Sequence, residues 1–391
     1  MSKTDIAIVG AGPAGLACAA FAARLGFRVR VLDRQPGECL AVPEDDGREI
    51  ALTHKSVRLL QSLGAWQHLS TGEIGPLQSA HVTDGASPYC LKFSDDRGSA
   101  DKPLGYIVAN SAIRRALHQV VSEQQGIQIC ADSTVTHMEL DGDCRHLSLQ
   151  DEQTVSASLV VASDSRFSEV RRMAGIGAEM HDFGRSAIVG RIHTSLPHRG
   201  IAQECFGYGA TLALLPLAQP QESSAVVTVA SDSAQGVMAL SDEEFANYVT
   251  RASSGILGSV TSASPRFCYP LVAVYARRFY AQRLALVGDA AVGMHPVTAH
   301  GFNLGIASAN TLAAQLARLS GLVDGKPLNK ALGLFQLQHR LESRPIYRGT
   351  NLIVNLFTNN RAPAKLLRKA VLRISNNFRP IRQAINYQLT R

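Results

Sequence analysis

The chain has 391 residues, 46% of them hydrophobic, so it can bury a large core and is predicted to hold two closely joined domains. Its formal net charge is +7, but ten Lys or Arg and no acidic residue follow Glu342, which leaves about −3 for everything before. Seven scattered cysteines without CxxC spacing favour reduced thiols in the cytoplasm over disulfides or structural zinc, and neither a membrane-spanning apolar run nor a nucleic-acid motif is present.

The first predicted elements form a βαβ unit. They are a strand over Asp5–Val9, a helix over Leu16–Leu25 and a strand over Arg28–Leu32. The turn GAGPAG places Gly10, Gly12 and Gly15 in GxGxxG register. In this register the first glycine permits a tight turn, the second lets the backbone approach a pyrophosphate, and the third lets helix and strand pack closely.

An acidic residue closes the second strand of this unit. Asp33 follows Gly15 by eighteen residues, a position from which a carboxylate accepts hydrogen bonds from a ribose hydroxyl. Its charge disfavours the extra phosphate of NADP. The unit therefore predicts dinucleotide binding without deciding between NAD and FAD.

The middle of the chain is predicted to be rich in strands. They cover Ile188–Thr194, Thr211–Leu217, Ala225–Ala230 and Phe267–Tyr275. One helix, Asp242–Arg251, is predicted among them, with Ser241 as its N-cap. Its three leading acidic residues are typical of a helix N-terminus and predict no catalytic pair of carboxylates.

A second glycine-bearing motif, RLALVGDAAVGMHPVTAHGFNLG, begins at Arg283. The pattern predicts a strand over Leu284–Val287, a helical stretch from Ala290 and a helix over Leu304–Leu319. Asp289 is placed to bind the ribityl chain of a flavin. The turn that contains Pro296 and 301–303 is placed to lay amides against the flavin ring. The two motifs together predict bound FAD.

Five segments together resemble the single-component FAD aromatic hydroxylases. They are GAGPAG, DGREIAL (46–52), LGYIVANSAIRRAL (104–117), LVVASDSRFSEVRR and LALVGDAA…HPVTAHGFNLG. The resemblance is closest to the ubiquinone-biosynthesis hydroxylases and extends from about Asp5 to Phe357. It implies an α/β protein with a Rossmann-like FAD-binding fold, an inserted β-rich substrate domain and a C-terminal helical tail.

The resemblance also implies domain bounds. The FAD-binding domain is expected over 1–74, 101–178 and 268–330, and the substrate domain over 75–100 and 179–267. The remaining 331–391 is expected to be a C-terminal helical basic region.

The resemblance further implies a set of FAD-binding residues. They are Gly10, Gly12, Pro13, Ala14, Gly15, Asp33, Arg34, Arg48, Asn110, Val135, Gly288, Asp289, Pro296, Gly301, Phe302 and Asn303. Val135 is expected to border the adenine through its backbone, and the Arg48 guanidinium suits a pyrophosphate or flavin oxygen. No metal site is predicted, because His295 and His300 have no carboxylate or thiolate to complete one.

Two positions depart from the family pattern. Asp164-Ser165 stands where the family has Asp-Gly between the flavin and nicotinamide sites, which leaves the electron donor open between NAD(P)H and another reductant. Ala299-His300-Gly301 stands where the family has Gly-Gln-Gly. His300 is therefore a candidate catalytic residue that exchanges a proton near neutral pH, while the alternative is that it packs and presents only its backbone amide.

The basic tail is predicted to contain an amphipathic helix from Pro363 to about Ser375. Cationic side chains fall mainly on one side and apolar ones on the other. That pattern fits a helix lying in a membrane interface and a helix docked on the protein body equally well. A polyprenylated substrate favours the membrane-interface interpretation. The protein is then expected to be peripheral on the inner face of the cytoplasmic membrane.

The function implied by the resemblance is hydroxylation of the aromatic ring of a polyprenyl-phenol or quinol intermediate in ubiquinone synthesis. Dioxygen would react with reduced FAD to give a flavin hydroperoxide, which the electron-rich ring attacks. Other ubiquinone-biosynthesis proteins are expected partners. Two alternatives stay open: a flavin-dependent prenyl-lipid reductase and a non-catalytic flavin-bearing scaffold of a lipid-synthesis complex.

Overall fold

A computed structural model of the chain describes residues 3–84, 90–94, 103–207, 210–263, 265–295, 300–322 and 325–358. Some of the predictions above fall on other residues and lie outside the described part. These are the placements of Pro296 and Ala299 and the helix from Pro363.

The strands of the described residues are numbered in chain order. Those of the first half are β1 (Lys3–Val9), β2 (Val29–Leu32), β3 (Glu49–Leu52), β4 (Gly75–Leu77), β5 (Ser79–Asp84), β6 (Cys90–Ser94), β7 (Gly105–Ala109), β8 (Ile127–Cys130), β9 (Val135–Asp141), β10 (Cys144–Leu149) and β11 (Thr154–Ala162). Those of the second half are β12 (Ala178–Thr194), β13 (Ile201–Phe206), β14 (Thr211–Pro216), β15 (Glu222–Ala230), β16 (Val260–Ala263), β17 (Phe267–Ala276), β18 (Tyr280–Ala281), β19 (Leu284–Leu286) and β20 (Val292–Gly293).

The helices are numbered in the same way. They are α1 (Pro13–Arg24), α2 (Gly37–Ala41), α3 (His54–Leu63), α4 (Asn110–Glu123), α5 (Glu169–Met173), α6 (Ala234–Met238), α7 (Asp242–Ala252), α8 (His300–Leu316) and α9 (Gly325–Thr358). Short 3₁₀ turns occupy Trp66–His68, Thr71–Glu73 and Gly288–Ala290.

The first sheet carries the predicted nucleotide-binding unit. Its central order is β18-β19-β11-β1-β2-β8, and the five strands from β19 to β8 are parallel. Ile6, Ala7 and Ile8 are fully buried, as expected for a parallel strand covered on both faces. The helices α1 and α8 pack against each other beside this sheet. The strands predicted over 5–9 and 28–32 and the helix between them are confirmed.

The glycine turn between β1 and α1 is held by close backbone packing. A Cβ atom on Gly15 would collide with the carbonyl oxygen of Gly10, so only glycine fits there. The hydroxyl of Ser163, just after β11, donates to the carbonyl oxygens of Val9 (3.0 Å) and Gly10 (2.8 Å). The neighbouring parallel strand therefore fixes the turn from its side.

A nine-stranded sheet is built mainly from the middle of the chain. Its order is β20-β17-β12-β15-β14-β13-β5-β6, and β16 pairs with β12. One face is covered by α7 and a cluster that includes Ile188, Val227 and Phe245. The four strands predicted here and the helix capped by Ser241 are confirmed, and β12 extends well before the predicted start at Ile188.

A three-stranded sheet, β3-β7-β4, and the long helix α9 complete the described structure. Asn303 of α8 joins the second motif to this small sheet: its side chain accepts from the Thr53 amide (3.1 Å) and donates to the Ala51 carbonyl (2.8 Å). In the described part of the chain, no helix combines the length and apolarity that crossing a bilayer requires.

Two predicted boundaries in the second motif are wrong. After β19 the chain forms a single 3₁₀ turn followed by β20, rather than the predicted helical stretch from Ala290, because Val292 pairs with Tyr275 of β17. The helix that ends this motif, α8, spans His300–Leu316 instead of the predicted 304–319. Its first turn includes Gly301, whose low helix propensity concealed the start.

Candidate flavin site

A cavity of about 820 Å³ is lined by the first sheet and the nine-stranded sheet together. Most of the predicted FAD-binding residues line it. They are Gly10, Gly12, Pro13, Ala14, Asp33, Arg34, Arg48, Asn110, Val135, Gly288, Asp289, Gly301 and Phe302. Two loops that lie almost 280 residues apart in sequence thus meet in one cavity.

Three other predicted residues are described but are not among the lining residues. Gly15 lies beneath the glycine turn, against Gly10. The side chain of Asn303 is directed at the β3–α3 connection through the two hydrogen bonds given above. His300 is buried as the first residue of α8. Their roles toward FAD or substrate stay predictions.

The N-terminus of α1 is arranged to receive an anion. Gly12 is its N-cap, no side chain caps it, and its first turn contains no acidic residue, so its leading amides keep no side-chain acceptor. A Cβ atom on Gly12 would meet no protein atom within 4 Å. Packing therefore does not explain this glycine, whereas close approach of a phosphate to the backbone does.

Asp33 stands at the end of β2 beside the glycine turn. One carboxylate oxygen accepts from the Ala11 amide (2.6 Å) and the other from the Gln35 amide (2.9 Å). Each oxygen has a second lone pair for a further donor. The position thus agrees with the expected contact to a ribose hydroxyl, and the carboxylate also braces the glycine turn.

Asp46 links two predicted FAD-binding residues. Its carboxylate oxygen Oδ2 accepts from Arg48 Nη2 (2.5 Å) and Asn110 Nδ2 (2.8 Å). Burial opposes ionisation of Asp46, but the hydrogen bonds and charge of Arg48, helped by Asn110, lower the pKa of the carboxyl below its usual value. The Arg48 guanidinium also lies 5.6 Å from the ring centre of Tyr269. Sequence reasoning assigned Asp46 no role, although an acidic residue two positions before an arginine was the available signal.

The second motif packs directly on the first. Gly288 has a φ of +58°, and a Cβ atom there would lie 2.7 Å from Cβ of Ala14 at the start of α1. Its amide donates to the Ser308 hydroxyl of α8 (3.0 Å). Glycine is required at position 288 both by its left-handed backbone and by this contact.

Two arginines from the segment after β11 support the second motif. Arg166 Nη2 lies 3.2 Å from Asp289 Oδ2, and Arg166 Nη1 donates to the Val272 carbonyl (3.0 Å). Arg171 Nη1 donates to the Ala290 carbonyl (2.9 Å). Sequence reasoning included this segment in the family resemblance but assigned these side chains no role. Their position after a strand of the parallel sheet was the available signal.

The Asp164-Ser165 pair, which stands where the family has Asp-Gly, has a backbone conformation that suits glycine. Ser165 has a φ of +123°, a region that favours glycine. Asp164 Oδ2 accepts from the amides of Glu169 (2.8 Å) and Val170 (3.2 Å) and so caps α5. Serine at position 165 therefore places a side chain on a strained backbone.

The face of the nine-stranded sheet that lines the cavity is mostly uncharged. It presents Thr211, Ala213, Leu215, Val226 and Thr228 from β14 and β15. Among the described residues of this sheet that line the cavity, Glu204 of β13 is the one carboxylate. Sequence reasoning missed Glu204, although a lone acidic residue within the strand IAQECF was a usable signal.

His295 is a further lining residue with an altered acid–base property. Its ring makes an edge contact with Phe183, with centres 4.8 Å apart. Burial, together with the charges of Arg185 and Arg166, lowers the pKa of His295 to about 4. The side chain is therefore neutral at physiological pH.

These observations agree with an FAD site. The α1 amides suit a pyrophosphate, Asp33 suits a ribose, and the first turn of α8, which has no acidic residue, supplies amides at the other motif. A βαβ unit with this turn, joined by a second glycine motif in a single cavity, defines a flavin-binding protein of the dinucleotide class.

Comparison with known proteins leads to the same class. The model of the FAD binding domain family matches residues 3–322. A ubiquinone hydroxylase, UbiM, from Neisseria meningitidis is 44% identical over 99% of this chain and 84% of its own length. Another, UbiL from Rhodospirillum rubrum, is 35% identical over 97% and 87%. The chain belongs to the FAD binding domain family and, within it, to the group of the ubiquinone hydroxylases.

Solved structures share the fold at lower identity. PqsL of P. aeruginosa, in complex with 2-aminobenzoylacetate, superposes with a TM-score of 0.79 at 20% identity, covering 94% of this chain and 100% of that one. The p-nitrophenol 4-monooxygenase PnpA of Pseudomonas putida has a TM-score of 0.77 at 16% identity, covering 100% and 99%. These likenesses establish the architecture alone.

Proposed function

We propose that the protein is an FAD-dependent monooxygenase that hydroxylates the aromatic ring of a polyprenylated phenol or quinol in ubiquinone biosynthesis. The observation that carries this proposal is the shared cavity, in which both nucleotide motifs face a mostly uncharged sheet surface. The names of the two relatives above supply the substrate class. The division into a FAD-binding domain, a substrate domain and a helical tail is proposed with it. Every strand of the first sheet lies within the proposed FAD-binding bounds, and the nine-stranded sheet lies mainly within the substrate bounds, with β17 and β20 added from residue 267 onward.

The residues of the chain have distinct proposed tasks around the cofactor. Bound FAD, once reduced, activates dioxygen for transfer of one oxygen atom to an electron-rich ring. The uncapped α1 amides hold the pyrophosphate, Asp33 holds the adenosine ribose, and Asp289, braced by Arg166, holds the ribityl chain. The amides of 301–303 in the first turn of α8 stabilise negative charge on the ring.

The nine-stranded sheet is the proposed substrate wall. Ala213, Leu215 and Val226 provide apolar contact for the aromatic ring and the start of the prenyl chain. The same wall keeps bulk water from the reacting atoms, which limits wasteful release of reduced oxygen species. Thr211 and Thr228 contribute hydroxyl groups that can orient a polar ring substituent.

His300 is proposed as a secondary catalytic residue, as its position beside the family's flavin-contacting glycine implies. Its side chain is buried at the start of α8. Replacement by glutamine, the usual family residue, separates the two interpretations. A changed pH dependence of turnover in H300Q supports proton exchange by the imidazole, and an unchanged dependence shows that only the backbone amide is used.

Lipid analysis of cells that lack the protein tests the proposed function. We expect an under-hydroxylated prenylated quinone precursor to accumulate and to disappear when the parent chain is restored. The D289A variant, which should not retain FAD, is expected not to restore it. An unchanged quinone profile would contradict the proposal. Accumulation of a prenyl lipid with an unreduced double bond would identify the reductase alternative.

We also propose peripheral contact with an anionic membrane through α9. Leu337, Leu341, Arg344, Arg348 and Leu352 are all exposed, and at 3.6 residues per turn they fall within an arc of about 80°. Leucines among arginines on one exposed helix face suit a lipid interface. The absence of acidic residues after Glu342 adds further attraction to anionic lipids, about 1 kcal/mol for each basic residue near the surface.

Co-sedimentation with vesicles tests this contact. The parent chain should bind phosphatidylglycerol vesicles more strongly than phosphatidylcholine vesicles, and L341S should weaken binding. The matched control is L140S, which changes an exposed leucine of β9 away from this face. Equal loss in both variants, or no binding at low salt, would contradict the proposal. Association with other ubiquinone-biosynthesis proteins stays a prediction, to be tested by co-purification.

A further inference from the structure

Glu204 occupies a defined place on the substrate wall. It lies on β13 opposite Ala213 of β14, and Ala213 lies opposite Val226 of β15. Residues directly opposite one another on paired strands share a face of the sheet. All three line the cavity, so the Glu204 side chain stands in a row of small and apolar side chains that faces the nucleotide motifs.

The residues directly beside Glu204 on the two neighbouring strands are uncharged. Val82 of β5 is its partner on the side opposite Ala213. The nearest ionisable residues on β5 and β6 whose side chains are described are His81, Cys90 and Lys92. They stand in register with Gln203 or Cys205 and therefore on the opposite face. Cys205, the next residue along β13, is also on that opposite face.

The other acidic residues that line the cavity are engaged by the protein itself. Asp33 accepts two amide hydrogen bonds, and Asp164 accepts two more. Glu49 is paired with Arg191 Nε (2.9 Å), Glu169 with Arg172 (3.4 Å), and Asp289 with Arg166 (3.2 Å). Among the described residues, none forms a hydrogen bond or ion pair with Glu204.

An unpaired carboxyl group on an apolar wall destabilises the fold. We therefore expect Glu204 to interact with a bound ligand. Burial raises the pKa of Glu204 to about 7. A phenol has a pKa of about 10, whereas an unburied glutamic acid has one of 4.5, so the raised pKa of Glu204 is closer to that of the phenol. A base matched in this way is effective near neutral pH.

We propose, on the basis of the proposed function, that Glu204 binds the ring hydroxyl of the substrate and accepts its proton. The O–H bond of the phenol breaks, its electron pair stays on the phenol oxygen, and a new O–H bond forms on the Glu204 carboxylate. The added electron density activates the ring carbons ortho and para to that oxygen toward the incoming oxygen atom. The proton passes to solvent when the product leaves.

A ligand-binding experiment on the FAD-loaded protein tests this role without turnover. The probes are 4-propylphenol and its methyl ether, 4-propylanisole, which has the same shape but no proton to give. Dissociation constants are measured by calorimetry between about pH 5.5 and pH 8.5, on either side of neutrality. The variants are E204Q and the matched control E222Q, which changes a glutamate at the start of β15 that pairs with His193 at 3.3 Å.

Because an ionised carboxylate is the stronger acceptor, phenol affinity of the parent chain should rise about tenfold through neutral pH. Anisole affinity should stay constant. E204Q should bind both probes without pH dependence, and E222Q should behave as the parent does. E204Q preserves side-chain size and removes only the ionisable group, and FAD content and melting temperature report on its folding.

The possible failures are distinguishable. If E204Q keeps the pH-dependent preference for the phenol, or the parent shows none, the Glu204 proposal is refuted while the proposed function stands. If the FAD-loaded parent binds neither probe at any pH, both the Glu204 role and the proposed aromatic substrate are contradicted.

Discussion

Replacing Glu204 by glutamine should make the fold more stable at alkaline pH and leave it unchanged at acid pH. In the folded protein, burial raises the pKa of this carboxyl to about 7, whereas an unburied glutamic acid has 4.5. Between these values the native state holds a proton that the unfolded chain has released. Stability of the parent therefore falls as pH rises through that interval, and the loss is complete above about pH 7.

The size of the change in unfolding free energy follows from the difference between the two pKa values of Glu204. Each pH unit of difference corresponds to about 1.4 kcal/mol, so a fully dry site would lose about 3 kcal/mol between pH 4.5 and 7. Glu204 faces a cavity and is only partly buried by its neighbours. Since cavity water weakens the penalty, we expect E204Q to gain about 1–2 kcal/mol over the parent at pH 8.

Chemical denaturation of FAD-loaded parent and E204Q at several pH values measures this difference directly. The two curves of unfolding free energy against pH should coincide near pH 4.5 and separate above it. Glu243→Gln provides the control for stability, because this glutamate is exposed on α7 and should show no such separation. A constant difference between parent and E204Q at every pH would show that Glu204 titrates normally, and the inferred environment would then be wrong.

Three further substitutions test the site. Ser165→Gly should stabilise the fold by about 1 kcal/mol and raise Tm by about 2 °C. Glycine relieves the strain of a φ of +123°, and this gain exceeds the destabilising effect of a more flexible unfolded chain. An unchanged or lower Tm would contradict the inferred strain. Gly288→Ala should lower the stability of the fold by about 1–2 kcal/mol and should also lower FAD occupancy. The reasons are the left-handed backbone at position 288 and the contact that a Cβ atom there would make with the first motif. Flavin absorbance measures the occupancy, and thermal melting measures the stability. Asp46→Ala should weaken FAD binding about tenfold, because Arg48 loses its hydrogen-bond partner. The control Glu44→Ala changes an exposed residue and should leave FAD affinity unchanged. Equal FAD affinities of the two variants in a fluorescence titration would refute the proposal that Asp46 holds Arg48 in place.

Local patterns predicted the nucleotide unit well because its chemistry is local. The strand–turn–helix–strand order around the GAGPAG turn needs only neighbouring residues, and β1, α1 and β2 are confirmed. The conformation of the stretch after Asp289 was missed for a different reason. There, pairing of Val292 with Tyr275 decided the conformation, and those residues are far from adjacent in sequence.

The flavin site shows the same contrast between features set by neighbouring residues and features set by distant ones. A cavity joining the two glycine motifs followed from recognising each motif, and most predicted FAD-binding residues line it. Asp46, Arg166 and Glu204 were missed because their importance arises from long-range packing. Glu204 in particular depends on which face of β13 meets the cavity, and that is set by its register with Ala213.

The central claim, that this protein places one atom of dioxygen on a phenolic ring, is tested most directly by a single-turnover experiment. FAD-loaded protein is reduced chemically without air, which removes the question of the electron donor, and is then mixed with a prenylated phenol and dioxygen labelled with heavy oxygen. We expect a hydroxylated ring that carries one heavy oxygen atom for each flavin oxidised. Flavin oxidation with no labelled product, or a product whose new oxygen comes from water, would contradict it.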